Sequence, residues 1–155
     1  MIDEISLKIL TILQKKARIP NVEVARQVDM APSAVLERIR KLESNGYIDG
    51  YEVRLNPEKF KRNLVAFITV SVSASADITA LGNLLSAIPE VQEVHHITAE
   101  DGFLVKVRAA DVSGLGELIY KKLRTIPEVS QTRTAVTMTT FKETARIPID
   151  TEDIE

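Results

Sequence analysis

Three cations, Arg38, Arg40 and Lys41, fall within four positions of a segment that has helical periodicity, an arrangement suited to a polyanion. Turning about 100° per residue from Val35, the outward arc of that helix holds Ser33, Ala34, Glu37, Arg38, Arg40, Lys41 and Ser44. The three cations can pair phosphates or reach base edges in a DNA major groove, and the small Ala34 allows close approach. The competing reading is a solvated surface laced by an i,i+4 pair, Glu37 with Lys41. A second cluster, His95 and His96 beside Glu93 and Glu100, suggests a metal or an acid–base site. Adjacent strand residues face opposite sides of a sheet, however, so the two imidazoles do not readily share one ion. No nucleophile–base pair or phosphate-cradling loop accompanies them, so the expectation is a binding protein without metal or cofactor rather than an enzyme.

Three helices fit residues 3–45. The first carries Ile5, Ile9, Ile12 and Leu13; the second runs from Asn21, its expected N-cap, to Val28. The third opens at Pro32, turns Val35, Ile39 and Leu42 inward, and stops near Asn45-Gly46, a left-handed cap signal. Only Asp29, Met30 and Ala31 separate the second helix from the third, as a helix-turn-helix requires. Charge agrees with a head that meets an anion. Residues 1–62 hold 12 Lys/Arg against 9 Asp/Glu, whereas residues 63–155 hold 8 against 13, including the acidic DTEDIE stretch.

The rest of the chain contains a duplication. Residues 76–85 match residues 110–119 at an offset of 34, and Ile88-Pro89-Glu90-Val91 matches Ile126-Pro127-Glu128-Val129 at an offset of 38. The extra four residues make the second helix longer by about one turn. Each unit reads strand–helix–strand. The first has a strand at 64–73, with Leu64, Ala66, Ile68, Val70 and Val72 on one face. Its cap is Asp77, its apolar stripe Ile78, Leu81, Leu85 and Ile88, and its second strand 91–98. The second unit has strand 103–109, cap Asp111, stripe Val112, Leu115, Ile119, Leu123 and Ile126, and strand 129–141. The expected class is α+β: a winged-helix-like helix-turn-helix over 1–50, a linker over 51–62, a ferredoxin-like βαββαβ domain over 63–141, and a tail over 142–155. Val65, Phe67 and Leu104 point away from the helices, which implies an apolar sheet face that dimerises.

Composition excludes other classes. There is no Trp and aromatics are 5%, too few for a single-strand stacking platform. The absence of cysteine removes thiol and disulfide chemistry. No apolar run approaches the roughly 20 residues that span a bilayer, and the start lacks a signal-peptide layout, so a cytoplasmic, nucleoid-associated protein without membrane contact is expected.

The chain resembles the leucine-responsive regulator/asparagine regulator family of bacterial and archaeal transcription factors. The resemblance lies in DEISLKILTIL (3–13), Ala17-Arg18-Ile19, Asn21-Val22-Glu23, Ala31-Pro32-Ser33 and Leu36 to Glu43. It continues through Gly46-Tyr47-Ile48, Gly50-Tyr51, Leu55-Asn56-Pro57, Ile88-Pro89-Glu90-Val91 and Thr132-Arg133-Thr134, to about residue 147. It implies regulation of transcription on double-stranded DNA by homodimers that assemble further, often to octamers, with an amino acid as modulator. The expected DNA contacts are Asn21, Pro32, Ser33, Ala34, Glu37, Arg38, Arg40 and Lys41. Two departures stand out: Ala31 replaces the Ser or Thr that usually caps the recognition helix, and Ala99-Glu100-Asp101-Gly102-Phe103 replaces an effector loop that reads Gly-Asp-x-Asp-Tyr. The second acid thus falls on Gly102. His96, Thr98, Thr134 and Val136 join that loop as the expected effector site, with weak or atypical amino-acid binding that Gly102→Asp should tighten. An architectural DNA-binding protein without effector is the alternative.

Overall fold

The structure, a computed structural model, describes residues 2–98 and 102–149 and divides into two compact units. Among the described residues the head comprises 2–54 together with 143–149, and the body those from Leu55 to Lys142. The C-terminal segment is therefore not a separate tail: its described part belongs with the head.

In the head, α1 spans Glu4–Lys15, α2 Asn21–Val28 and α3 Pro32–Ser44. The α1 start is fixed by Asp3, whose carboxylate accepts the Ser6 N–H at 2.8 Å, satisfying one of the first-turn donors that a helix leaves unpaired. Asn21 does not cap α2. Pro20 holds that position without a side-chain bond, because Asn21 is already the first helical residue. The turn between α2 and α3 depends on Asp29 at φ 54°, a left-handed conformation that Asp tolerates better than most side chains. Gly46, at φ 75°, ends α3: its N–H reaches the Glu43 carbonyl at 3.1 Å while Tyr47 N–H reaches Leu42 at 2.9 Å. Ile9, Leu13, Val24, Val35, Ile39 and Leu42 form the core, and each such buried aliphatic chain contributes roughly 1.5–3 kcal/mol.

In the body a short 3₁₀ turn, Pro57–Phe60, leads into β1 (Leu64–Val72), α4 (Ile78–Ser86), β2 (Val91–Ile97), β3 (Gly102–Ala109), α5 (Val112–Leu118) and β4 (Val129–Val136). The sheet order is β2-β3-β1-β4 with every pairing antiparallel, the arrangement of a split βαββαβ fold. The duplication is visible in the caps: Asp77 accepts from Ala80 N–H at 3.0 Å and Asp111 from Gly114 N–H at 2.8 Å. The four inserted residues are taken up by a wider turn, Ile119–Leu123, in which Arg124 N–H bonds back five residues to Ile119 at 2.8 Å. That turn still delivers Leu123 to the core, fully buried. β4 stops at Val136, five residues before the end expected from sequence; the chain beyond bonds to the sheet at Thr137 N–H to the Val65 carbonyl.

Ala66, Ile68, Val70, Phe103, Val105 and Val107 pack beneath Leu81, Leu85, Leu115, Leu118 and Leu123. The other face is less open than its sequence implies. Val65 is buried and Leu104 half-buried, leaving Phe67, 39% exposed, as the apolar group of the three most open to solvent. Lys106, opposite Phe67 in the register, is also buried there, and its ammonium bonds the Glu93 carboxylate at 2.9 Å.

Candidate nucleic-acid interface and effector region

The inward stripe of α3, Val35, Ile39 and Leu42, fixes which residues point out. Pro32, Ser33, Glu37, Arg40, Lys41 and Ser44 are exposed and Ala34 is half-exposed. Lys41 pairs with Glu37 at 3.0 Å, but both side chains are 70% exposed, so the pair costs little to exchange for a phosphate. Arg40 has no ion pair within the described residues. Asn21 is half-buried at the first residue of α2.

Arg38 departs from the expectation of an outward cation. Its guanidinium turns to α1, bonding the Asp3 carboxylate at 2.5 Å and the Ser6 hydroxyl at 3.0 Å. The side chain thereby ties α3 to the N-terminus of α1 and is only 30% exposed. The Arg38 guanidinium, with help from Ser6, pulls the Asp3 carboxyl down to about 2. An unfolded Asp titrates near 3.9, so the unfolded chain takes up the proton first. The stabilisation is complete above about pH 4 and is lost as pH falls through about 2. Arg38→Ala should lower head stability at pH 7 by about 1 kcal/mol, a figure discounted because the pair is partly solvated. The same variant should shrink the stability loss between pH 4 and pH 2; denaturant unfolding across that range checks both.

At the C-terminal end of α3, the Tyr51 hydroxyl donates to Glu43 at 2.9 Å. Partial burial, and then the hydrogen bond to Glu43, push that phenol up to about 12, so it remains a donor throughout the physiological range.

The effector candidates fall into separate groups. His96 pairs with Phe103 across β2 and β3, their rings 5.4 Å apart and tilted by 45°. Phe103 is a buried core residue rather than an open ligand contact, and Thr98 lies exposed just past β2. Ala99, Glu100 and Asp101 lie outside the described residues. Thr134 and Val136 are exposed on β4, the opposite edge of the sheet. Three inter-strand spacings, roughly 14 Å, separate that edge from β2, so one chain does not bring the groups around one small ligand. Gly102 is the first residue of β3 and is buried. A β-carbon there would overlap the Val70 carbonyl oxygen and stand 3.0 Å from the Val70 carbonyl carbon. The expectation that an acid at 102 would meet a ligand is therefore overturned, since the space it needs is occupied by the backbone of β1.

His95 and His96 lie on opposite faces, as strand geometry requires: His95 bonds Glu93 at 3.2 Å, whereas His96 sets its tilted ring against Phe103. Lys106, with His95 second, holds the Glu93 carboxyl below its usual range. The described residues contain no group of three or more His, Cys, Asp or Glu placed to hold a metal. The Asp3–Arg38 and Glu93–Lys106 pairs went unseen in the sequence. The clue to the second was a lysine inside the apolar run FLVKV; its partner needed the β2–β3 register.

Residues 2–49 match the model for a winged helix-turn-helix DNA-binding domain, and residues 65–147 match that of the Lrp/AsnC ligand binding domain. The chain belongs to the Lrp/AsnC family. This Lrp/AsnC protein is 34% identical over 152 residues to the leucine-responsive regulatory protein of Escherichia coli K12, covering 97% of this chain and 93% of that one. Over the same span it is 36% identical to the Salmonella typhimurium protein of that name. A transcriptional regulator from Neisseria meningitidis, solved as an L-Met complex, superposes with a TM-score of 0.91 at 28% identity, covering 96% of this chain and 97% of that one. An AsnC family regulator from Agrobacterium tumefaciens gives 0.86 at 25% identity, with 95% and 97% covered. The Lrp/AsnC chain is thus a DNA-binding transcription regulator with a helix-turn-helix head and a ligand-binding body. Within its described residues no helix is long and apolar enough to cross a membrane.

Proposed function

We propose that this regulator docks α3 in the major groove of operator DNA in the cytoplasm, as a homodimer that assembles further, and that an amino acid alters its binding. It is not an enzyme in this reading. The observation that carries the DNA contact is the outward face of α3, where Arg40 has no ion pair among the described residues and Lys41 is held only by an exposed Glu37. Ser33 and Ala34 at the start of that helix are small enough for close approach to base edges, with Pro32 beside them and Asn21 at the start of α2 for the backbone. Support for an amino acid comes from the ligand-binding domain match and from the L-Met complex of the Neisseria relative. Because His96 and Thr98 sit at one sheet edge and Thr134 and Val136 at the other, both groups touch one ligand only where two chains meet. Effector binding and assembly are then linked.

The test is a thermal-shift screen of the full-length chain against the twenty amino acids. A ligand that binds only the folded state raises Tm, by about 2.7 kcal/mol of added stability at a hundredfold excess over Kd. The expected result is a shift with at least one amino acid, accompanied by a change in sedimentation. No shift with any of them at millimolar concentration would leave an effector-independent architectural protein as the better reading.

A further inference from the structure

The chain leaves the body at Lys142 and rejoins the head at Glu143, so the head is connected to the body twice, at 54–55 and at 142–143. The returning segment is held by specific chemistry. The Gln14 carboxamide donates to the Ile147 carbonyl at 3.1 Å and accepts the Ile147 N–H at 2.9 Å. One side chain thereby satisfies both polar groups of a single residue's backbone, as a neighbouring strand would. The Arg146 guanidinium donates to the Lys15 carbonyl at 3.4 Å, placing a cation at the C-terminal end of α1 where the helix dipole favours one. Ile149 packs on the head core, while the Ile147 side chain stays 68% exposed. The contact thus reads backbone and one apolar anchor.

We propose that residues 143–149 are a strap that carries the state of β4 to the DNA-binding head, with Gln14 as the positioning residue that fastens it. β4 carries the effector candidates Thr134 and Val136, and only the six residues 137–142 lie between Val136 and the strap. A displacement of β4 on ligand binding or assembly then acts on α1 through this second connection as well as through the first, at 54–55. The proposal rests on the regulatory reading given above and adds the route of its control.

The test uses the full-length chain and Gln14→Leu, which keeps size and helix preference but removes both amide bonds. Amide hydrogen exchange of Ile147 should accelerate at least about tenfold in the variant, the N–H having lost its acceptor. The amino acid found to bind the wild type, with L-methionine included in the panel, should bind the variant with Kd unchanged within about twofold. Its effect on operator affinity should fall at least about fivefold, while ligand-free operator affinity stays within about threefold. Unchanged Ile147 exchange, or an undiminished ligand effect on DNA, would overturn the strap. If no amino acid binds the wild type, the effector reading fails separately, and operator binding replaces the ligand in the second arm. DNA binding should then perturb β4 amide exchange in the wild type and not in Gln14→Leu, and equal perturbation in both would overturn the proposal.

Discussion

Gly102→Asp should unfold the body rather than furnish a carboxylate for a ligand. The Val70 carbonyl stands where the new β-carbon must go, and Ser71 Cα lies 3.2 Å from the same point. These are backbone atoms of a central strand, so no rotamer change relieves the overlap; β1 and β3 have to separate at the Ser71–Gly102 pairing. Overpacking against side chains typically costs about 1–3 kcal/mol, and here the obstacle is stiffer, so a loss of roughly 4 kcal/mol or more is expected. For a unit of this size that lowers Tm by about 15 °C or more. Melting followed by circular dichroism decides it: a variant within a few degrees of wild type would mean that the strands accommodate a side chain.

The second large effect is expected at α3. Arg40→Ala with Lys41→Ala should weaken operator binding by about ten- to a hundredfold near physiological salt. It should also reduce the slope of log K against log salt by about 2, one unit for each phosphate that is no longer neutralised. These two positions are the informative pair because both are exposed and neither supports the head. Replacing Arg38 instead confounds binding with stability, since Arg38 anchors Asp3 and Ser6. A fluorescence-anisotropy titration at several salt concentrations checks the pair. Wild-type affinity and slope in the double variant would remove α3 from the interface.

How much of the fold and site is legible in the sequence follows from the range of the interactions. The three head helices, the caps at Asp77 and Asp111, and the duplicated strand–helix–strand units depend on residues within a few positions of one another, and all are legible. So is the added turn of the second helix, though not its wider Ile119–Leu123 geometry, which reflects how four extra residues still bring Leu123 to the core. Arg38 looks like an outward cation because helical periodicity cannot say that Asp3, 35 positions away, waits beside it. Gly102 looks like a missing acid because the Val70 carbonyl that forbids a side chain belongs to another strand. The effector candidates look like one group for the same reason: the order β2-β3-β1-β4, which puts them on opposite edges, is a property of the folded sheet.

The discontinuous head has a consequence for synthesis on the ribosome. Its first 54 residues emerge early, yet the segment that bonds Gln14 is separated from them by the whole body, residues 55–142. At about 5–20 residues per second, translating that intervening stretch takes roughly 4–18 s. During this interval the three helices pack without Ile149 on their core and with both Gln14 hydrogen-bonding groups facing water. The nascent head is therefore less stable than the finished one, and the body has time to form before the head is complete. A chain stalled anywhere before residue 143 carries a helix-turn-helix head whose Gln14 has not yet met Ile147.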